Sequence, residues 1–223
     1  RQDVYLSNRL RYSFFLHEMI HGFGLQGHSS KFIPTGGYLN KNGIMSNADG
    51  WNQALLPWDA LVWGVATSND TYCIDKSHLT NVDLKLVPLE REQKGLRSAV
   101  IKLNDHQALV VESHRSDKYG VGEGAGFAGA MVTLVDTTKS TSFESENSPN
   151  GDKDGWDLNH IMYPGESISA AGVKITLIKG GDNDVVRLEV FDKSVNEYVQ
   201  APFAPDCLAK LIPISQSTSG TRS

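Results

Sequence analysis

The stretch SAVIKLNDHQALVVES at residues 98–113 decides the fold class of the larger part of this chain. It holds two short runs of β-branched and other apolar residues, 98–103 and 108–113, separated by the turn-forming pair Asn104-Asp105. Short β-type runs bounded by polar turn residues are typical of neighbouring antiparallel strands. The stretch therefore predicts two such strands.

Similar runs recur on both sides of this stretch, and the turn Gly180-Gly181-Asp182-Asn183 separates the last two. Regular short strands joined by polar turns favour an antiparallel sandwich or barrel. We predict a β-sandwich over residues 76–195, a polar surface loop at 136–157, and a C-terminal extension with a flexible tail at 196–223. The further predicted strands are 82–89, 130–135, 173–178 and 185–191.

Residues 1–75 have a different character. Apolar residues near helical spacing predict a helix over about 8–23 that ends at Gly22 and Gly24, and a second helix over about 53–65. The intervening stretch is rich in Gly, Asn and Ser and predicts a loop. The expected fold class is thus α+β, with a helical part followed by the sandwich. The second helix is expected to bury Leu55, Leu56, Leu61, Val62 and Val65.

The composition excludes several classes of partner. The 223 residues include 21 Lys and Arg against 26 Asp and Glu, with a net charge of -5, and no basic patch favours nucleic acid. The apolar runs are too short for a membrane span. The chain therefore has the composition of an ordinary globular protein.

The most informative motif is HEMIHGFGLQGH at residues 17–28. On a helix, residues four apart lie on one face, so His17 and His21 can direct their imidazoles at one point and serve as zinc ligands. Glu18 follows the first of these ligands, on the side where a zinc-bound water would lie, and a carboxylate there can accept a proton from that water. We expect Zn²⁺ there, with Glu18 as the general base.

A tetrahedral catalytic site needs a third protein ligand and one open position. Gly24 allows the chain to leave the helix sharply and to bring His28 back towards the metal. We therefore predict His28 as the third ligand. The alternative is a surface histidine in a loop rich in Gly and Ser.

These residues resemble the metzincin signature, HExxHxxGxxH, although the last spacing is one residue longer here. Asn42-Gly43-Ile44-Met45-Ser46 is similar to the Met-turn of that group. The resemblance implies that residues 1–75 form the zinc-binding catalytic subdomain of an endopeptidase, with Met45 as an apolar floor under the metal. Ordinary core packing is the alternative for Met45.

Two branches of metzincins compete. The run LPWDALVWG at 56–64 resembles the helix after the Met-turn in immune-inhibitor-A-like peptidases, in which β-rich sequence follows the catalytic domain. Gly24-Leu25 with a nearby Gly-His-Ser is similar instead to gametolysin-like peptidases. In metzincins a sheet-containing half precedes the zinc helix, so a second chain or a missing N-terminal segment is expected to complete the cleft for a protein or peptide substrate.

Two further sites are predicted. Cys73 and Cys207 are expected to form one disulfide in a chain that is secreted or extracellular, with the cell surface also possible; the alternative is two buried thiols. Residues 150–155 partly match the start of a calcium loop, but Ile161 stands where the last ligand is expected. A solvated acidic turn is therefore favoured there, with Ca²⁺ as the alternative.

The remaining histidines have no partner spacing and are interpreted as surface or strand residues rather than ligands. The sequence thus predicts a zinc-dependent endopeptidase that uses a metal-activated water. The alternative is a non-catalytic, zinc-stabilised binding or adhesion module whose β-sandwich recognises a partner. The histidines set aside are His78, His106, His114 and His160.

Overall fold

A computed structural model describes residues 12–23, 43–45, 54–105, 107–115, 128–136, 144–146 and 162–192. Several predicted features lie outside the described residues. They are His28, the possible calcium turn at 150–155, Cys207 and the extension at 196–223.

Two helices form the first part of the described chain, α1 (Tyr12–Gly22) and α2 (Pro57–Trp63). Proline is favoured in the first turn of a helix, where its missing N–H is not needed, so α2 begins at Pro57 and not near residue 53. It ends at Gly64, whose left-handed backbone (φ 78°) lets its N–H bond back to the last turn. Val65 lies beyond this cap and is 51% exposed, so its predicted burial is wrong.

The rest of the described chain is mostly β-structure, arranged in two sheets. One sheet has five strands in the order β1-β3-β4-β5-β6, and the other has four in the order β2-β9-β8-β7. All six predicted runs form strands, whereas β1, β6 and β7 were not predicted. The strands are β1 (Thr71–Asp75), β2 (Val82–Leu86), β3 (Ser98–Lys102), β4 (Gln107–Arg115), β5 (Ala128–Asp136), β6 (Glu144–Glu146), β7 (Ser167–Ala170), β8 (Val173–Lys179) and β9 (Asp184–Val190).

One strand pair departs from the expected antiparallel pattern. β1 pairs with β3 in parallel, whereas the other strand pairs in the described part of the chain are antiparallel. A parallel pair needs a crossover between its strands, and here the crossover contains β2, which joins the other sheet. The expected domain boundary at residue 75 remains a prediction, although β1, on its N-terminal side, already belongs to the five-stranded sheet.

A shared hydrophobic core lies between the two sheets, consistent with a β-sandwich. Leu109 and Val111 of β4 contribute to it from the first sheet, and Ile175 and Leu188 contribute from the second. Side chains alternate along a strand, so the intervening residues of β4 face away from this core. In the second sheet, the residues of β2 and β8 that face away from the core are mostly exposed to solvent.

The outer face of the first sheet is buried as well. Val100, Ala108, Val110 and Val135 form a second cluster with residues of both helices and of the segment 43–45. The first sheet is therefore the platform on which the helical part packs. The residues packed on it are Ile20, Ile44, Met45, Trp58 and Leu61.

Two smaller findings concern the predicted environment. Cys73, in β1, is disulfide-bonded. Neither of the described helices is long and apolar enough to cross a membrane.

Candidate metal centre

His17 and His21 lie one turn apart on α1, and their side chains meet. The Nε2 atoms of the two rings are 3.0 Å apart. The rings stand nearly perpendicular, with centroids 4.7 Å apart and an interplanar angle of 85°. The helix thus produces the convergence that the i, i+4 spacing predicts.

The other ring nitrogen of His17 determines its tautomer. His17 Nδ1 lies 2.5 Å from the main-chain carbonyl oxygen of Ile44. A carbonyl oxygen only accepts, so Nδ1 carries the proton and donates it. In the neutral ring the lone pair is then on Nε2, the nitrogen that faces His21. A backbone carbonyl is one of the groups that commonly accept from the second ring nitrogen of a metal-binding histidine and so orient its ring.

The distance between the two Nε2 atoms fits a shared ion. Two Zn–N bonds of about 2.0–2.1 Å at a tetrahedral angle place the nitrogens about 3.3 Å apart. The 3.0 Å found here is close to that value. The same distance also suits a hydrogen bond in which His21 Nε2–H donates to His17. The two imidazoles therefore fit part of a zinc site, and without the ion they can bond each other.

His17 has the protonation state that a metal ligand needs. Its side chain is only 5% exposed, and this burial lowers the pKa of the imidazole. The hydrogen bond to Ile44 and the charge of Glu18 raise the pKa, whereas His21 lowers it, and the net direction is downward. A neutral ring at neutral pH follows, with its lone pair available.

The residues around the pair are arranged by the same packing. Glu18 follows His17 on α1 and is partly exposed. Met45 is fully buried in the cluster that joins the helices to the first sheet, next to the carbonyl that holds His17. The N–H of Ile44 donates to Ala54 O at 3.1 Å, which ties the segment 43–45 to the start of the α2 region.

The third predicted ligand, His28, lies outside the described residues. Within the described ranges, no group of three or more His, Cys, Asp or Glu side chains is arranged to hold a metal ion. The structure therefore brings together two of the three predicted ligands and leaves the third as a prediction.

Among the described residues, a second buried histidine lies in a strand and not on α1. His114, in β4, is 1% exposed and lies between two carboxylates: Nδ1 is 2.9 Å from Glu90 Oε1, and Nε2 is 2.9 Å from Glu112 Oε1. Burial lowers the pKa of His114, but the two carboxylates outweigh it and raise the pKa to about 10. The ring is a cation at neutral pH with both nitrogens occupied as donors, so it is not a metal ligand.

Glu90 is the residue that sequence reasoning missed. It lies in the connection between β2 and β3, 24 positions before His114, and no local spacing links the two. The sole signal in the sequence was the pair Glu112 and His114, which alternate onto one face of a strand.

No protein-family model, no curated protein and no solved structure matches the chain. The candidate metal centre is therefore defined by the geometry of α1 and of the segment 43–45.

Proposed function

We propose that this chain belongs to a zinc-dependent endopeptidase that hydrolyses protein or peptide substrates. The observation that carries the proposal is the meeting of His17 and His21 at 3.0 Å between their Nε2 atoms, with Ile44 holding the far nitrogen of His17. In this proposal His17, His21 and His28 hold the metal, and Glu18 is the general base. The resemblance to metzincin-type peptidases supports the same assignment.

Zinc at this place would supply Lewis-acid polarisation of the scissile carbonyl and would make a water molecule more acidic. The chain itself contributes the proton transfers. Glu18 accepts the proton of the attacking water and passes it to the leaving amine. The adjacent position of Glu18 on α1 supports this role, because the helix that directs both imidazoles also orients the carboxylate.

The fold supports a rigid site. Met45, Trp58 and Leu61 pack α1 and α2 on the first sheet, and the segment 43–45 is held at Ala54. A metal site loses affinity when its ligands move, so a scaffold of this kind favours function at the histidine pair. The disulfide at Cys73 supports a secreted or extracellular location, where such bonds persist.

The test is the substitution Glu18→Gln, assayed for zinc content and for hydrolysis of an unstructured protein such as casein. We expect zinc to remain near its wild-type level and hydrolysis to fall by about 10²–10⁴-fold, the usual contribution of a general base. The matched control is Glu92→Gln, at an exposed position of the connection between β2 and β3, which should leave both readouts unchanged.

Two results would contradict the proposal. If Glu18→Gln hydrolyses the substrate at the wild-type rate, Glu18 is not the general base. A wild-type protein that binds zinc tightly but hydrolyses no substrate would instead favour the non-catalytic binding or adhesion module, whose closed metal site needs no base.

A further inference from the structure

Four consecutive residues at the end of β4 are buried although all four are polar. Glu112, Ser113, His114 and Arg115 are 2%, 0%, 1% and 6% exposed. Side chains alternate along a strand, so Ser113 and Arg115 share the face of Leu109 and Val111, which looks towards the second sheet. Glu112 and His114 share the opposite face.

The outer pair forms an ionic clamp with the connection between β2 and β3. Glu90, 2% exposed, extends from that connection to His114 Nδ1 at 2.9 Å, while Glu112 holds Nε2 at 2.9 Å. The connection is also bonded to β4 through Leu89 N–H, which donates to Ser113 O at 2.9 Å. The clamp therefore holds a long connection against the end of a central strand.

The inner pair forms a second ionic clamp, with the second sheet. Arg115 makes a bidentate pair with Asp184, the first residue of β9, at 2.7 and 3.0 Å. Its guanidinium also donates to Gly181 O, and Ser113 Oγ donates to Asp184 at 2.7 Å. Asp184 is fully buried, so its charge depends on these donors.

Arg115 connects the two clamps. Its backbone N–H donates to Glu90 Oε2 at 2.7 Å, and its side chain holds Asp184. We propose that these residues form one clasp, which holds the 87–97 connection, β4 and the start of β9 together. When the protein unfolds locally at this place, the three segments therefore separate in one step. The clasp consists of Glu90, Glu112, Ser113, His114, Arg115 and Asp184.

The cost of burying charge explains why the parts act together. A buried ion that loses its partner keeps its desolvation penalty, so removal of one member destabilises the others. An exposed ion pair between β9 and β2 provides the contrast. Arg187 and Asp83 are bonded at 2.7 and 2.8 Å, but their side chains are 47% and 46% exposed and solvent screens them.

The ion pair of His114 and Glu90 stays charged through the neutral pH range. Within the described residues, the charged groups that face His114 are Glu90, from the connection, and Glu112, from its own strand. Burial raises the pKa of Glu90, but the charge and hydrogen bond of His114 and the N–H of Arg115 bring it below its ordinary value. His114 is therefore a cation, and Glu90 an anion, at neutral pH.

The test is a double-mutant cycle on the full-length chain with Glu90→Gln and Asp184→Asn. Each single variant should lower Tm by about 10 °C, given the cost of breaking a buried pair in a protein of this size. Urea unfolding at pH 7 measures the unfolding equilibrium constant of each variant. The constant of the double variant should be about 10-fold smaller than the value expected if the two single effects multiplied independently. Additive effects would overturn the proposal that the clamps are one device.

Asp83→Asn is the matched control, because it breaks a bidentate pair to the same strand at the surface, and it should leave Tm nearly unchanged. Hydrogen exchange in Glu90→Gln adds a local readout: amides in both 87–97 and 180–186 should exchange about 100-fold faster, while those of α1 should not. Faster exchange in 87–97 alone would contradict the clasp.

A measurement on the wild-type protein keeps the proposal testable even where a variant does not fold. The ¹⁵N resonances of the His114 ring should show the imidazolium form from pH 6 to about 9, as expected for a ring held between two carboxylates. A neutral ring at pH 8 would overturn the outer clamp and the clasp with it.

Discussion

Two buried histidines of this protein have opposite protonation. His17, on α1, is 5% exposed and has a lowered pKa, whereas His114, on β4, is 1% exposed and has its pKa raised to about 10. In both rings burial is the largest single influence, and in both it lowers the pKa. The difference arises from the groups that the ring nitrogens meet.

His17 meets a backbone carbonyl on one side and a second imidazole on the other, so it can remain neutral and keep a lone pair on Nε2. His114 meets a carboxylate on each side, which stabilises its charged form and uses both N–H groups as donors. The comparison shows that burial alone does not decide whether a ring is neutral or charged. The partners of the ring nitrogens decide it.

The largest expected effect is a difference in metal binding between the histidine pair on α1 and His114. His21→Ala should lower zinc affinity on the order of 1,000-fold or more, since loss of even an outer-shell partner costs about 10–100-fold. His114→Gln should leave any bound zinc in place, because both ring nitrogens of His114 already bond carboxylates. Metal content after dialysis against a weak chelator measures both. Near-stoichiometric zinc in His21→Ala would refute the ligand assignment.

The second expected effect is a dependence of stability on pH. The raised pKa of His114 means that the folded state holds its proton more tightly than the unfolded state does, for which the ordinary value is 6.5. This stabilisation is full below pH 6.5 and is lost as the pH rises towards about 10. Urea unfolding at pH 6 should therefore show wild type more stable than His114→Gln by about 3 kcal/mol.

The gap between wild type and His114→Gln should narrow steadily between pH 6.5 and about 10. A gap that stays constant over this range would show that His114 acts through packing rather than charge. Asp83→Asn is again the control, and its difference from wild type should stay small throughout.

The smallest expected effect concerns a polar group on the same outer face. Thr133, in β5, is 6% exposed, and its hydroxyl is a buried group with no hydrogen-bond partner among the described residues. Thr133→Val keeps the shape and removes this desolvation penalty, so it should stabilise the fold by up to about 1 kcal/mol. A clear loss of stability in urea unfolding would show that the hydroxyl does have a partner.

Local pattern was sufficient for much of the fold. The strands β2, β3, β4, β5, β8 and β9 were predicted from apolar runs and turn residues, because those signals act within a few neighbouring residues. The strands β6 and β7 were not predicted because a strand of three or four residues carries too weak a pattern. The parallel pairing of β1 with β3 was not predicted, because the local pattern of residues does not show which strand crosses to the other sheet.

The sequence by itself determined that His17 and His21 face one point, since the helical repeat places residues four apart on one side. Tertiary structure alone decided that Ile44 sets the tautomer of His17 and that Glu90 keeps His114 charged. These contacts span 27 and 24 positions of the chain, and they exist because the first sheet brings distant segments together. A ring's charge depends on its neighbours in space, and the order of residues shows only its neighbours along the chain.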